Sequence, residues 1–170
     1  GVPQRVPATT INKMCGSGLQ AVMMAADQIR AGSANVVLAG GIESMTNAPY
    51  LIPKARGGLR MGHSEILDHM FFDGLQSPFD GKMMGSFAEA TSAKYGFTRQ
   101  QQDAFATESV RRALVAAEGT HFTNEIAPVT VKDRKGERVI GKDETPFTCD
   151  INKIPTLKPA FAKDGTVTAA

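Results

Sequence analysis

Apolar residues alternate between strand-like and helix-like patterns over residues 6–41. A helix over residues 17–31 is predicted by apolar positions at helical spacing: Leu19, Val22, Met23, Ala26 and Ile29. Gly32 follows, at the position where a left-handed cap ends a helix. Residues 6–14 are rich in β-branched side chains, and residues 35–41 form a short apolar run closed by paired glycines. Strand, helix and strand in this order predict a βαβ unit of an α/β fold.

The pattern becomes irregular over residues 46–84, where prolines and glycines interrupt every apolar run. This stretch predicts an inserted segment, with one short helix over residues 65–72. Helical periodicity returns over residues 86–95. The motif Thr98-Arg99-Gln100-Gln101 has the spacing of a capping box and predicts the start of a further helix. A glycine follows each of these two helices, as a C-terminal cap requires.

A hairpin and an unfinished strand are predicted in the last third of the chain. Strand-like residues at 126–131 and 138–140 flank a charged run at 132–137, which indicates a hairpin with a charged tip. The β-branched run at 166–168 predicts the start of one more strand. The basic side chains around the tip could meet an anionic nucleotide tail, but acidic neighbours dilute their field, so a solvated hairpin is the favoured interpretation.

The composition is that of a globular domain. Of 170 residues, 42% are apolar and 21% charged, and the net charge of +2 is too small to argue for a nucleic-acid partner. No apolar run is long enough to span a bilayer, so we expect no membrane association. The two cysteines, Cys15 and Cys149, do not make a disulfide framework, which favours a reducing compartment. Because the chain begins at Gly1 rather than Met, we expect it to be cut from a longer protein.

Cys15 is the strongest candidate for chemistry. It lies between a predicted strand and a predicted helix, so the positive end of the helix is expected to stabilise its thiolate and make it a nucleophile. Gly16 and Gly18 allow a ligand to approach the backbone and are expected to leave amide N–H groups free to face an oxyanion. The alternative is a buried structural cysteine. The pattern favours acyl transfer through a thioester.

The other candidate groups have weaker support. Cys149 has neither a base nor a glycine turn beside it and is interpreted as a bystander thiol. A cysteine nucleophile needs a base, yet none of His63, His69 and His121 lies in a supporting motif, so each is interpreted as an ordinary surface or core histidine. A metal site built on His69 with Asp68 and Asp73 would lack a second histidine, and we expect no metal.

Motifs in a fixed order run along the rest of the chain. After residues 12–22 around Cys15 these are residues 36–45, Ala48-Pro49-Tyr50, Arg60-Met61-Gly62, Asp73-Gly74-Leu75, Met84-Gly85, Ala88-Glu89, residues 102–106, residues 157–161 and residues 165–169. Together they resemble the thiolase family, the acetyl-CoA acetyltransferases, over essentially the whole chain. The part of the family that they match is its N-terminal half.

The resemblance implies a fold and a reaction. Residues 1–45 would be a partial thiolase core containing the nucleophile strand, helix and strand, and residues 46–170 an inserted α+β loop domain that binds coenzyme A. The family cysteine matching Cys15 accepts an acyl group from one acyl-CoA and passes it to a second by Claisen condensation. The reverse reaction is thiolysis of a 3-ketoacyl-CoA. Acetyl-CoA would be the substrate and acetoacetyl-CoA the product.

The resemblance also implies binding residues and an assembly. By matched position, the pantetheine channel would be lined by Leu75, Met84, Phe161 and Ala169. Residues 49–61 resemble the hairpin through which family members form tetramers. The implied protein is a cytoplasmic homotetramer that takes coenzyme A thioesters as substrates and needs no metal or other cofactor.

Several family elements are absent from this chain. The activating histidine, the asparagine and histidine that hold the thioester oxygen, and the second cysteine belong to the C-terminal half of the family. Met83 also replaces a histidine that many relatives carry beside the coenzyme. We therefore expect the chain alone to turn over little or not at all. The alternatives are a condensing enzyme of the ketoacyl-synthase type and a non-catalytic module for coenzyme A binding or assembly.

Overall fold

The computed structural model describes residues 2–170, all but the first residue of the chain. The chain divides into two compact units, one reaching to Gly81 and the other spanning Lys82–Ala170. The two units are defined by contacts within the structure. The boundary expected after residue 45 is a boundary between family domains, and the two need not coincide. The domains at 1–45 and 46–170 stay a prediction, and residue 1 of the first lies outside the described residues.

Helix α1, Ser17–Arg30, is the main regular element of the unit that ends at Gly81. It confirms the helix predicted from the apolar spacing, and Gly32 follows it with a φ of +71°. A side chain is strained at that φ, which explains the glycine. Ala25 is the buried residue of the helix at 8% exposure. Most of its large apolar side chains are exposed, so α1 covers little core in this chain.

The strands predicted on either side of α1 do not form in the described part of the chain. Residues 6–14 and 35–41 contain no strand, and Val36 and Leu38 are 90% and 86% exposed. A buried parallel strand requires a neighbouring strand and elements that cover its faces. Among the described residues no strand pairs with either segment, so the predicted βαβ unit is not formed by residues 6–41 alone.

The inserted segment closes on itself through two very short strands. Strand β1, Tyr50–Leu51, pairs antiparallel with β2, Leu67–Asp68. A π-helical turn, Met70–Leu75, follows at once. The helix predicted over residues 65–72 is therefore wrong for residues 65–68, whereas residues 69–72 are helical. The Asp68 carboxylate accepts a hydrogen bond from the Met70 N–H at 2.8 Å. This bond links the last residue of β2 to the first residue of the π turn.

Two helices dominate the unit Lys82–Ala170, and both confirm the prediction. Helix α2, Met84–Tyr95, ends at Gly96, whose φ is +67°. Helix α3, Arg99–Glu118, begins with the predicted capping box. The Thr98 N–H donates to the Gln101 side chain at 2.8 Å, and the Gln101 N–H donates to the Thr98 hydroxyl at 3.2 Å. Two otherwise unsatisfied donors are thus paired.

The predicted hairpin is also present. Strands β3, Val129–Asp133, and β4, Gly136–Ile140, pair antiparallel around a two-residue tip. A short helix α4, Thr145–Thr148, leads into a 3-10 turn, Ile151–Thr156, which packs on α3.

That 3-10 turn contributes Ile154, which is 1% exposed and is the most deeply buried large side chain of the described residues. The strand predicted at residues 166–168 does not form, because its N–H groups bind a carboxylate instead of a neighbouring strand. Among residues 2–170, no helix combines the length and apolar character required to cross a membrane.

Candidate active site

Cys15 lies in a tight turn directly before α1, and its side chain is exposed. Met14, the preceding residue, has a φ of +50°, which is uncommon for a residue with a side chain. The Gly16 N–H donates to the Lys13 carbonyl at 3.0 Å, and the Ser17 N–H donates to the Met14 carbonyl at 3.1 Å. The chain therefore reverses direction at Cys15 and leaves the thiol accessible.

Two side chains hold this turn in place. The Ser17 hydroxyl donates to the Met14 carbonyl at 2.7 Å and accepts from the Lys13 N–H at 2.9 Å. The Asn12 side chain accepts from the Met14 N–H at 2.9 Å. These bonds satisfy the backbone groups on both sides of Met14 and stabilise its unusual conformation.

The structure corrects one detail of the expected oxyanion site. The Gly16 N–H is already used by the Lys13 carbonyl and is not free. The Gly18 N–H has no acceptor among the described residues. Gly18 also lies against Gly41, because a Cβ on Gly41 would come within 3.2 Å of the Gly18 Cα. Gly41 therefore allows the end of the 35–41 segment to approach the start of α1, whereas a Cβ on Gly40 would come within 4 Å of no other part of the described chain.

The four residues predicted to bind coenzyme A lie in different elements. Leu75 ends the π turn and is half-buried, in the same unit as Cys15. Met84 is the first residue of α2, and Phe161 packs its ring against the Gly85 backbone one residue later. Ala169 is exposed near the end of the chain. The Phe161 ring thus lies at the start of α2, against the residue that follows Met84.

The histidines do not form a recognisable catalytic or metal site. His69 and Asp73 are 3.2 Å apart within the π turn, with both side chains about half exposed. His63 and His121 are exposed. Within residues 2–170, no three His, Cys, Asp or Glu side chains are arranged to hold a metal ion. The structure assigns none of these histidines as a base for Cys15.

The charged hairpin tip neutralises much of its own charge. Lys132 pairs with Glu137 across the strands, and Arg138 lies 3.8 Å from Asp133. Lys142 stands over the Phe147 ring at 4.9 Å. Opposite charges within the hairpin pair with Lys132 and Arg138, and both pairs agree with the interpretation of a solvated surface.

Sequence reasoning missed a group of polar side chains on α2 and α3. Glu89, Ser92 and Gln102 all form hydrogen bonds with Thr166. In the sequence, Glu89 stands out only as part of the Ala88-Glu89 motif. The sequence signal that could have identified Glu89 is its spacing. Glu89 follows Gly85 by four residues and therefore lies on the same face of the helix.

The chain matches the model of the thiolase N-terminal domain over residues 1–170. It belongs to the thiolase family. The match confirms the resemblance and the fold class, and it favours thiolases over condensing enzymes of the ketoacyl-synthase type.

Individual relatives agree with this assignment. An acetyl-CoA acetyltransferase of Pseudomonas aeruginosa is 50% identical over 171 residues, which cover 99% of this chain and 44% of that protein. A mitochondrial acetyl-CoA acetyltransferase of Gibberella zeae is 48% identical and is covered to 40%. The chain thus spans about two fifths of the length of these relatives.

Solved structures give the same result. The acetyl-CoA acetyltransferase of Bacillus anthracis matches with a TM-score of 0.87 and 44% identity, over 94% of this chain and 40% of that one. A thiolase of Ascaris suum, solved in complex with coenzyme A, matches with a TM-score of 0.86 and 39% identity, over 98% of this chain and 42% of that one. The chain therefore has the fold of the matching part of a thiolase.

Proposed function

We propose that this chain supplies the nucleophile and coenzyme A contacts of an acetyl-CoA C-acetyltransferase. The observation that carries the proposal is the exposed Cys15 thiol on a turn fixed by Ser17 and Asn12 at the start of α1. Identity of 50% to an acetyl-CoA acetyltransferase across the chain supports the choice of reaction. A thiol held in this way is suited to attack a thioester carbonyl.

The reaction would proceed in two balanced steps. The Cys15 thiolate attacks the carbonyl carbon of one acetyl-CoA, and coenzyme A leaves as a thiolate that takes up a proton. A base then removes a proton from the α-carbon of a second acetyl-CoA. The resulting carbanion attacks the Cys15 thioester, forms acetoacetyl-CoA and releases the Cys15 thiolate. Thiolysis is the same sequence in reverse, and the base is not among the residues that the structure places at Cys15.

The proposed coenzyme A contacts are Leu75, Met84, Phe161 and Ala169. Their support is positional, since Phe161 packs at the start of α2 directly after Met84 and all four side chains are at least partly exposed. The coenzyme A complex of a structure 39% identical to this chain supports the same ligand. We propose no metal and no cofactor besides the coenzyme A thioesters themselves.

We also propose a cytoplasmic homotetramer. Residues 49–61 include β1 and most of the connection from β1 to β2. Several apolar side chains of this segment are exposed. Met61 is fully exposed and Leu59 is 55% exposed. Apolar side chains presented in this way are typical of a protein interface.

Intact-mass measurement after incubation with acetyl-CoA tests the proposal. In the 170-residue chain, one acetyl group should appear on Cys15 without sustained turnover. In the full-length product of the gene, turnover should fall by a factor of about 1000 or more on Cys15→Ser, because the nucleophile is removed. The matched control is Cys149→Ser, which should retain both acetylation and turnover. Acetylation at Cys149, or coenzyme A binding with no acetyl-cysteine, would contradict the proposal and favour a binding module.

A further inference from the structure

One face of α2 receives the segment that carries two of the proposed coenzyme A contacts. Gly85, Glu89 and Ser92 lie four and then three residues apart, so they share this face. Residues 160–169, here called the 160–169 loop, lie against it, and they include Phe161 and Ala169. Gly85 lies against Phe161, whereas Glu89 and Ser92 both contact Thr166.

Glu89 makes the most specific of these contacts. Its carboxylate accepts the Thr166 N–H at 3.0 Å and the Val167 N–H at 2.9 Å. It also accepts the Thr166 hydroxyl at 3.4 Å. Hydrogen bonds from backbone N–H groups to a carboxylate are charge-assisted and stronger than neutral ones. The bond from the Thr166 N–H is the largest cause that holds the pKa of Glu89 below its usual value of 4.5.

A second set of hydrogen bonds ties the same strip of the loop to α3. Gln102 donates to the Ser92 hydroxyl at 2.8 Å and to the Thr166 hydroxyl at 2.9 Å. Ser92 is 7% exposed, and its hydroxyl lies 3.3 Å from that of Thr166. A nearly buried polar network of this kind fixes one arrangement, because each member depends on the others for a partner.

Two glycines make room for the contacts. A Cβ on Gly85 would overlap the Phe161 ring, and a Cβ on Gly165 would overlap the Glu89 carboxylate. The Ala160 N–H donates to the Val167 carbonyl at 2.9 Å and closes the base of the loop. Phe161 is therefore joined to the Glu89 contact through one short backbone bridge.

We propose that Glu89 is a positioning residue for coenzyme A binding. Its carboxylate fixes the Thr166 and Val167 backbone, and the loop then presents Phe161 and Ala169 to the pantetheine arm. The inference rests on the proposed function, which supplies the ligand, but the Glu89 contact itself can be measured without any ligand. Glu89 does not touch the reacting atoms and acts through the loop.

The test combines amide hydrogen exchange with kinetics in the full-length product of the gene. Glu89→Gln keeps the size of the side chain but replaces one acceptor oxygen by a donor. We expect the Thr166 and Val167 amides to exchange about tenfold faster, since one charge-assisted bond is lost. The KM for the coenzyme A thioester should rise about tenfold while kcat stays within about threefold, because binding is weakened and Cys15 is untouched.

Matched variants separate positioning from general stability. Glu118→Gln makes the same chemical change at an exposed residue at the end of α3 and should change neither measurement. Ser92→Ala is a milder change that keeps the Glu89 contact and should raise KM about threefold. It provides a second test of the loop if Glu89→Gln reduces the yield of folded protein.

Each outcome decides a different point. Unchanged amide exchange in Glu89→Gln overturns the inference, and so does faster exchange with an unchanged KM, since Glu89 would then be only structural. If the parent protein neither binds nor turns over coenzyme A thioesters, the proposed function fails. The amide exchange then still reports whether Glu89 holds the loop.

Discussion

The turn at Cys15 and the 160–169 loop are held by hydrogen bonds of very different reach. The bonds made by Asn12 and Ser17 join residues two to four positions apart. The side-chain bonds of Glu89 and Gln102 to Thr166 join residues 77 and 64 positions apart. The nucleophile turn therefore depends on a few neighbouring residues, whereas the loop depends on two helices being in place first.

Apolar side chains are also more deeply buried in the unit that contains the 160–169 loop than in the unit that contains Cys15. Ile154, in the unit Lys82–Ala170, is 1% exposed, while Val36, in the unit ending at Gly81, is 90% exposed. Apolar burial is the main source of stability in a folded chain. The unit with the buried isoleucine and the long-range bonds should therefore be the more cooperative of the two.

The largest expected effect comes from Ile154→Ala. Removing a fully buried side chain should lower the free energy of unfolding of the 170-residue chain by about 3 kcal/mol. Val36→Ala is the matched control and should change it by no more than about 0.5 kcal/mol. Urea unfolding followed by circular dichroism measures both. Equal losses would show that residues 35–41 are buried in solution and would remove the contrast in burial.

Arg99→Ala should have the next largest effect. The Arg99 guanidinium donates to Asp103 at 2.8 Å and to the Leu157 carbonyl at 2.7 Å. Its loss leaves partly buried acceptors without partners, which should cost about 2 kcal/mol of unfolding free energy.

Arg112→Ala is the control for that change. Arg112 pairs with Glu108, but its side chain is 76% exposed, so the loss should not exceed about 0.5 kcal/mol. Urea midpoints of the two variants give the comparison. If Arg112→Ala lowered the free energy of unfolding as much as Arg99→Ala, hydrogen bonds between distant, partly buried residues would contribute no more to stability than exposed local ones.

Ser17→Ala tests the local turn and should cost about 1 kcal/mol or less, because two short-range hydrogen bonds are exchanged for bonds to water. The Lys13 amide should exchange faster, and the amides of residues 160–169 should not change. Ser64→Ala, at an exposed serine, is the control. If residues 160–169 also respond, the two regions are coupled rather than independent.

The smallest expected effect is a pH dependence confined to the loop. The pKa of Glu89 is lowered in the fold, chiefly by the Thr166 N–H, so the contribution of its carboxylate is present above about pH 4.5. It is lost as the pH falls through the lowered value. Protection of the Thr166 and Val167 amides, corrected for intrinsic exchange, should decline as the pH falls below about 4.5. A decline of equal size in Glu89→Gln would assign it to another group.

The same contrast explains which parts of the structure could be predicted from the sequence. Helix α1, the Thr98 capping box and the hairpin β3–β4 follow from signals within a few residues, and the structure confirms them. The Cys15 turn was anticipated for the same reason, although the Gly16 N–H is used within the turn.

Features that depend on distant partners could not be predicted. Residues 35–41 have the composition of a buried strand, but a strand forms only where another strand pairs with it. The Glu89 contact was missed because its partners are 77 and 78 positions away. The helix predicted from residue 65 begins only at residue 69, because Leu67 and Asp68 pair with Leu51 and Tyr50 as a strand.

The long reach of the Glu89 bonds also has a consequence during synthesis. The residues that shape the Cys15 turn leave the ribosome together, so the turn and its exposed thiol can form early. Glu89 has no partner until Thr166 has been made, 77 residues later, which takes roughly 4 to 15 s at typical translation rates. In a newly made chain the Cys15 turn can therefore form several seconds before the 160–169 loop can.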